Sequence, residues 1–280
     1  MSQLPFYKVQ GAGNDFVLID GRGLPPGGLR PGQAVAICHR HYGVGADGVL
    51  VLTGDSDGIP SMRIFNADGS VAQMCGNGLR CFALAMRSHF GFAHDPLPVQ
   101  TDSGRMICHI DGSGGEAQVT IELGAVTTSS GGPLELPLLR EKVRVAGEEV
   151  VFYRVATGNP HAVRIGETTD DERQRLGPPL SVHPHFPEGT NVEFLSFRGP
   201  QALTVVVCER GVGFTLACGT GAVAATAVAV ALGHCPADQW IEAALPGGNL
   251  RVRIAADFLT ASLQGPAVEV FHGSLELQEA

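Results

Sequence analysis

Two short segments of this chain are near-copies of each other: Cys75-Gly76-Asn77-Gly78 and Cys218-Gly219-Thr220-Gly221. Each opens a run of residues that predicts a helix. A helix N-terminus presents unpaired N–H groups and the positive end of the helix dipole, which lower the pKa of a thiol and bind an anion beside it. The segments therefore predict a matched pair of reactive thiols and, with the two helix ends facing each other, a symmetrical acid–base site.

An isolated cysteine is more often a small buried hydrophobe than a reactive group. A second repeat argues against that interpretation here, because Gly13-Asn14-Asp15-Phe16 is echoed by Gly158-Asn159-Pro160-His161. The two asparagines are 145 residues apart and the two cysteines are 143 residues apart. An internal duplication of about half the chain explains both spacings, and it predicts two halves that meet at a shared site.

The composition favours a small-molecule partner in the cytoplasm. A net charge of −9 argues against nucleic acid and anionic membranes, which attract basic proteins. Seven cysteines without paired spacing make a poor disulfide framework and indicate a reducing compartment. The N-terminus has no apolar segment of signal-peptide length. The most apolar run, residues 222–232, is shorter than the ~20 residues that span a bilayer and predicts a buried helix instead.

Strands dominate the predicted secondary structure, and helices are few. The clearest helices are 79–90 and 222–232. They are followed by Gly91 and Gly233, at the position where a glycine in the left-handed conformation commonly ends a helix. Shorter helices are predicted at 31–39 and 170–176. Strands are predicted from apolar alternation and β-branched residues at 17–19, 49–52, 63–65, 119–123, 150–155, 203–208, 250–254 and 267–271.

A segment near the midpoint, TTSSGGP at residues 127–133, has the composition of a linker. We therefore predict a first domain at residues 1–126 and a second at 127–266. The last predicted strand lies after the second half is complete, and composition alone leaves open whether it returns to the first domain.

Two opposed thiols can invert a stereocentre without a redox step. A thiolate takes a proton from a carbon while a thiol delivers one to the opposite face. Two helix N-termini aimed at a neighbouring carboxylate would stabilise the carbanion with fixed N–H donors. Pyridoxal phosphate, the usual cofactor for racemisation, needs a lysine, and the chain has only Lys8, before a glycine-rich turn, and Lys142, in a charged run. No ligand spacing for a metal is present, since Cys75 and Cys81 do not form a zinc pattern.

Motifs spread over the whole chain closely resemble those of the diaminopimelate epimerase family. They occur in the family's order. They are GAGNDF at 11–16, FNADGS at 65–70, MCGNGLRC at 74–81, GNPH at 158–161, TNVEF at 190–194, ERG at 209–211, ACGTG at 217–221, LPGG at 245–248 and GPAV at 265–268.

The resemblance implies an α+β fold of two pseudo-symmetric domains, each a mixed or antiparallel β-sheet wrapped around a central helix. It also implies that residues 267–280 complete the first domain. The expected activity is a two-base epimerisation, without cofactor or metal, that interconverts LL- and meso-2,6-diaminopimelate on the route to lysine and peptidoglycan. A homodimer is expected as well.

Site roles follow from the same motif match. Cys75 and Cys218 correspond to the acid–base pair, with Cys218 taking the proton from the LL substrate and Cys75 donating one. The residues expected to cradle the reacting carboxylate are Gly76, Asn77, Gly219 and Thr220. Those expected to tune the thiols or hold the reacting ammonium are His161 and Glu209. The expected readers of the substrate's other polar groups are Asn14, Asn66, Asn159, Asn191 and Arg210, with Arg210 pairing with the distal carboxylate through its planar fork.

Three other functions stay open at this point. A racemase for another amino acid, such as histidine or proline, would keep both cysteines and change the distal pocket. A cysteine-nucleophile hydrolase or transferase would pair one thiol with His161, although it leaves the duplication unexplained. A non-catalytic module would bind an amino acid without exchanging its α-proton. Asn14 and Asn66, beside or near glycines, could also be turn residues.

Overall fold

A computed structural model describes residues 3–277 of the chain. Over this range the chain forms eighteen β-strands, four α-helices and one short 3-10 helix, Gly114–Glu116. It divides into two compact units. The first contains the described residues up to Ile121 together with those from Gln264 onward, and the second is Glu122–Leu263.

The first unit holds two α-helices and nine strands, the eighth of which continues two residues past Ile121. The helices are α1 (Pro31–Cys38) and α2 (Gly76–His89). The strands are β1 (Gln3–Gly11), β2 (Asn14–Asp20), β3 (Gly48–Ser56), β4 (Ile59–Asn66), β5 (Val71–Ala72), β6 (Leu97–Thr101), β7 (Gly104–Asp111), β8 (Gln118–Leu123) and, at the end of the chain, β18 (Val268–Glu276).

The second unit repeats this order of elements. Its helices are α3 (Asp170–Ser181) and α4 (Gly219–Ala231). Its strands are β9 (Arg140–Val145), β10 (Glu148–Ala156), β11 (Pro160–Ile165), β12 (Asn191–Gly199), β13 (Ala202–Glu209), β14 (Gly213–Phe214), β15 (Ile241–Leu245), β16 (Gly248–Ile254) and β17 (Ala261–Pro266).

The strand pairings of the two units correspond one to one. In the first, β1 and β2 are antiparallel, β2 and β3 parallel, β3, β4 and β5 antiparallel in turn, β4 and β6 parallel, and β6 and β7 antiparallel. Strands β10 to β16 of the second unit repeat the same pattern. The predicted α+β fold with pseudo-symmetric halves is therefore confirmed, and the sheets are mixed.

Each unit packs one buried helix against its own strands. Helix α2 contacts β1, β2, β4 and β7, and α4 contacts β10 to β13, β15 and β16. In the first unit, Val17 of β2 clusters with Ile37 of α1, whereas Leu50 of β3 approaches Gly78 of α2. Successive residues of a strand point to opposite faces of the sheet. Val17 and Leu50 lie on opposite faces, so the strands of this unit are covered by α1 on one face and by α2 on the other.

The helix ends differ from the prediction in two ways. Helices α2 and α4 begin three residues earlier than expected, because Cys75 and Cys218 themselves cap them. Helix α3 runs to Ser181, five residues past its expected end and through Pro178 and Pro179, because Leu176 and Leu180 are both buried in the core. Gly91 and Gly233, each with φ of 74°, have the left-handed conformation expected after the last turn.

The predicted linker at residues 127–133 lies just after the point where the chain enters the second unit. Thr127 forms β-bridges with Pro133 and with Ala156 of β10, which places this segment inside the second unit. The chain enters that unit at Glu122 and leaves it after Leu263, instead of at the predicted positions after 126 and 266. Within residues 3–277, no helix is long and apolar enough to cross a membrane.

Candidate active site

The two motif cysteines occupy the same local position in their respective units. Cys75 is the N-cap of α2 and Cys218 is the N-cap of α4, and both have extended backbone conformations. The sulfur of Cys75 accepts a hydrogen bond from the N–H of Gly78, and that of Cys218 accepts one from Gly221, each at 3.4 Å. The sulfur takes the place that a Ser or Asp oxygen has in an ordinary N-cap. Each thiol therefore lies among the free N–H groups of a helix end.

Burial has a larger effect on the pKa of Cys218 than the N–H groups of the helix end have. It raises the pKa of the Cys218 thiol well above its usual value, and the Glu209 carboxylate raises it further. Hydrogen bonds from Thr220, whose hydroxyl lies 3.5 Å from the sulfur, and from Gly221 act in the opposite direction but are weaker. The expectation that the helix N-terminus gives this thiol a lowered pKa is therefore wrong.

In the first unit, a chain of side-chain hydrogen bonds passes beside Cys75. The buried guanidinium of Arg80 donates to Oδ1 of Asn77 at 2.9 Å, and Nδ2 of Asn77 donates to Oδ1 of Asn14 at 3.2 Å. Nδ2 of Asn14 in turn donates to Asp47 at 2.7 Å. The Cys75 sulfur lies 3.7 Å from Oδ1 of Asn14. The structure thus brings together three residues predicted from the motifs, Asn14, Cys75 and Asn77.

In the second unit, His161 is held by three side chains. Its Nδ1 lies 2.7 Å from Oε1 of Glu193, and its Nε2 lies 2.8 Å from Oδ1 of Asn159 and 3.0 Å from the hydroxyl of Thr157. The side chains of His161 and Glu193 are fully buried. Contacts at both ring nitrogens therefore fix the orientation of the His161 imidazole.

Glu209, Arg210 and Asn191 lie close together at the ends of two paired strands. Oδ1 of Asn191 accepts the backbone N–H of Arg210 at 2.9 Å, and Nδ2 of Asn191 donates to the carbonyl of Pro160 at 3.2 Å. Glu209 accepts the Thr215 hydroxyl at 2.6 Å. The Arg210 guanidinium is exposed and donates to the carbonyl of Glu188 at 2.8 Å.

Asn66 is engaged in a turn. It is exposed, its Nδ2 donates to the Ser70 hydroxyl at 2.9 Å, and the turn uses Gly69 at φ of 85°. Of the remaining candidates, Gly76 and Gly219 are buried in the first turns of their helices, and Thr220 is half-buried. The other cysteines, Cys38, Cys81, Cys108, Cys208 and Cys235, are buried, as expected of packing residues.

Sequence reasoning gave no role to Asp47, Arg80, Thr157 and Glu193. For Glu193 and Arg80 a signal was present, because a charged residue within an apolar strand or helix needs a buried partner. Burial raises the pKa of the Glu193 carboxyl, although the neighbouring His161 opposes the shift. No cluster of three or more His, Cys, Asp or Glu side chains suited to a metal occurs in the described part of the chain.

Comparison with solved structures identifies proteins that share this fold. The fold is shared with a phenazine biosynthesis protein of the PhzF family from Bacillus anthracis, with a TM-score of 0.72 and 16% identity over 99% of this chain and 100% of that one. It is also shared with a probable proline racemase from Agrobacterium radiobacter K84, with a TM-score of 0.71 and 16% identity over 98% and 93% of the two chains.

Sequence comparison gives the family. The diaminopimelate epimerase profile matches residues 6–129 and 153–270. A diaminopimelate epimerase of Synechococcus sp. (strain JA-3-3Ab) is 41% identical over 286 aligned positions, which cover 98% of each chain. The chain belongs to the diaminopimelate epimerase family.

Proposed function

We propose that this protein is an isomerase that interconverts LL- and meso-2,6-diaminopimelate, in the supply of lysine and peptidoglycan precursors. Family membership supports this substrate. The observation that carries the reaction is the pair of cysteine N-caps, Cys75 and Cys218, one in each of two topologically equivalent units. A reaction that acts on the two faces of one carbon needs such a duplicated group.

The proposed reaction has two proton transfers and no change of oxidation state. In the first, the bond between the α-carbon and its hydrogen breaks, the proton passes to a thiolate, and the electron pair is delocalised into the carboxylate. In the second, a new bond to hydrogen forms on the opposite face with the proton of the other thiol. The mechanism requires both sulfurs to reach the same carbon, and it leaves one thiol and one thiolate at the end, as at the start.

We assign Cys218 as the base toward the LL isomer and Cys75 as the acid. Burial raises the pKa of Cys218, so its thiolate, once formed, is a strong base. The N–H groups of the first turns, at Gly76 and Asn77 in α2 and at Gly219 and Thr220 in α4, would hold the reacting carboxylate.

The remaining polar side chains would read the rest of the substrate. The Glu209 carboxylate and the His161 ring would tune the thiols or hold the reacting ammonium. Arg210, whose guanidinium is exposed, would pair with the distal carboxylate. The other proposed substrate-binding side chains are those of Asn14, Asn66, Asn159 and Asn191.

We also propose that the reaction proceeds without pyridoxal phosphate, and that the protein acts in the cytoplasm as a homodimer. The two lysines of the chain support the first point. Lys8 is buried in an ion pair with Asp15, and Lys142 forms a surface ion pair with Glu149 at 3.0 Å. Borohydride reduction of the resting protein should therefore trap no pyridoxyl-lysine adduct, and light scattering should give twice the chain mass.

The test is exchange of the α-proton. Reduced protein incubated with LL-diaminopimelate in D₂O should incorporate deuterium at the α-carbon and form the meso isomer. No incorporation would contradict the proposal, and incorporation into proline or histidine only would identify a racemase for another amino acid.

Matched variants locate the chemistry. Cys75→Ser and Cys218→Ser should each lower epimerisation by at least a thousandfold, because an alcohol is a far weaker acid than a thiol. Cys235→Ser, at a buried free thiol away from any helix N-terminus, should retain activity. Full activity in either of the first two variants would contradict the two-base mechanism.

A further inference from the structure

The amide of Asn14 has a definite direction. Its Nδ2 donates to the carboxylate of Asp47 at 2.7 Å, and its Oδ1 accepts Nδ2 of Asn77 at 3.2 Å. A carboxylate can only accept and a guanidinium can only donate. Asp47 and Arg80 therefore stand at the two ends of the chain of hydrogen bonds, and they fix which way both amides between them point.

The consequence falls on Cys75. The Asn14 atom that lies 3.7 Å from the Cys75 sulfur is the carbonyl oxygen, not the amino group. An oxygen acceptor at this place favours the protonated thiol, which donates to it, over the thiolate. We propose that Asp47 is a positioning residue that keeps the Asn14 carbonyl turned toward Cys75, so that this cysteine rests in its proton-carrying form.

Asp47 is itself held in place by charge. Its Oδ1 accepts from Arg40 at 2.8 Å, and its Oδ2 also accepts the backbone N–H of Asp15 at 3.2 Å. Arg40 bonds to the Asp15 carboxylate at 2.7 Å, and the buried Lys8 bonds to the same group. These hydrogen bonds hold the Asp47 carboxylate in its orientation toward Asn14.

The charged groups around this chain of hydrogen bonds lie on α2, on β2 and in the segment between α1 and β3. Arg80 lies on α2, the helix that Cys75 caps, and its positive charge alone would favour a Cys75 thiolate. Asp15 lies on β2, and Arg40 and Asp47 lie in the segment between α1 and β3. The orientation of Asn14 opposes the effect of Arg80, and this orientation is what Asp47 controls.

The role rests on the acid–base function proposed for Cys75, but its test does not use substrate. The rate of alkylation of Cys75 by iodoacetamide, followed by mass spectrometry of its peptide from about pH 6 to about pH 11, reports the thiolate fraction. In Asp47→Leu the Asn14 amide loses its 2.7 Å hydrogen bond and keeps the longer one from Asn77 at 3.2 Å. The amide can then turn its amino group to the sulfur more easily, and alkylation at pH 7 should be about fivefold faster.

Two variants separate the proposed role from other causes. Asp47→Asn still offers Asn14 an amide oxygen, although it loses the hydrogen bond from the exposed Arg40 to Oδ1, and should stay within about twofold of the wild-type rate. Asp111→Leu changes the net charge equally at an exposed position of the same unit and should have no effect. Circular dichroism would establish that each variant is folded.

The pH profile distinguishes protonation from access. A change in the thiolate fraction accelerates alkylation at low pH and leaves the high-pH plateau in place, whereas easier access raises the whole profile. An unchanged or slower rate in Asp47→Leu, a raised plateau, or an equal acceleration in Asp47→Asn or Asp111→Leu would overturn the proposal. Because no epimerisation is measured, these outcomes are independent of whether the protein acts on diaminopimelate.

Discussion

Nδ1 of His161 lies 2.7 Å from Oε1 of Glu193, and both side chains are completely buried. Register explains the meeting: His161 begins the parallel pairing of β11 with β12 opposite Asn191, and Glu193 is two residues farther along β12 on the same face. Oε2 of Glu193 has no hydrogen-bond partner among residues 3–277. Burying a carboxylate with an unpaired oxygen costs free energy of folding. This cost indicates that the orientation of the His161 ring is important for the function of the protein.

Substitution of Glu193 should therefore be costly. Glu193→Leu leaves the His161 ring buried without its partner, and it should lower the free energy of unfolding by about 3–5 kcal/mol. Glu193→Gln keeps a hydrogen-bonding side chain beside Nδ1 and should cost less, while still lowering kcat because an amide cannot exchange a proton with the ring. Urea denaturation and steady-state kinetics measure both effects. Glu149→Gln, in an exposed ion pair, should change neither, and an equal loss there would contradict the argument.

Glu209→Gln should make Cys218 more reactive. Burial is the main reason that the pKa of Cys218 is raised, and the Glu209 carboxylate is the next. Removing this negative charge lowers the pKa and raises the thiolate fraction, so alkylation of Cys218 at pH 8 should be several-fold faster. The exposed Glu167→Gln in the same unit is the charge-matched control. A slower reaction in Glu209→Gln would show that Glu209 does not act on the thiol through its charge.

The central helices were predictable from sequence, whereas many strands were not. Runs of small apolar residues that end at Gly91 and Gly233 indicate α2 and α4 directly. Strand β9 consists mostly of charged residues, and β18 was predicted only to residue 271 although it continues, largely exposed, to Glu276. Such strands are held by pairing with β10 and β1, which local sequence does not report.

The same limit applies to the site. The two site cysteines, Asn14 and Asn159 were predictable because they recur in duplicated motifs, whereas the other site asparagines followed from the resemblance to the family. Glu193 and Asp47 were not, because their partners His161 and Asn14 are 32 and 33 residues away in the sequence. A single charged residue in an apolar strand indicates that a partner exists, but only the strand register identifies it.

Alanine at the third helical position should be tolerated in α2 and not in α4. A Cβ on Gly78 would lie 3.0 Å from Cδ2 of Leu50, a methyl group that can move, whereas a Cβ on Gly221 would lie 3.0 Å from Oε1 of Glu193. We expect Gly221→Ala to be less stable than Gly78→Ala by about 1–3 kcal/mol. Chemical denaturation of the two variants tests this, and equal stabilities would show that Glu193 can shift at little cost.

Asp15 should make stability depend on acid pH. Burial raises the pKa of its carboxyl, but hydrogen bonds from Arg40 and Lys8 outweigh burial and hold the pKa below its usual value. Its contribution is therefore complete above the unfolded pKa of about 3.9 and is lost as the pH falls through the lower folded value. Asp15→Asn should be less stable than wild type at pH 7, with a difference that shrinks below about pH 4. A difference in urea midpoint that is constant from pH 3 to 7 would contradict this.

The sulfur caps give the last prediction. Because the hydrogen bond that each sulfur accepts from the N–H of its N3 residue is long, at 3.4 Å, a serine oxygen should cap α2 and α4 at least as well, whereas alanine removes the cap and should cost about 1 kcal/mol. Unfolding midpoints of Cys75→Ser and Cys218→Ser should thus lie at or above those of the alanine variants. A serine variant less stable than its alanine counterpart would refute the capping role. If a serine variant is as stable as wild type and no longer exchanges the α-proton, the loss belongs to the chemistry of the thiol and not to the helix that it caps.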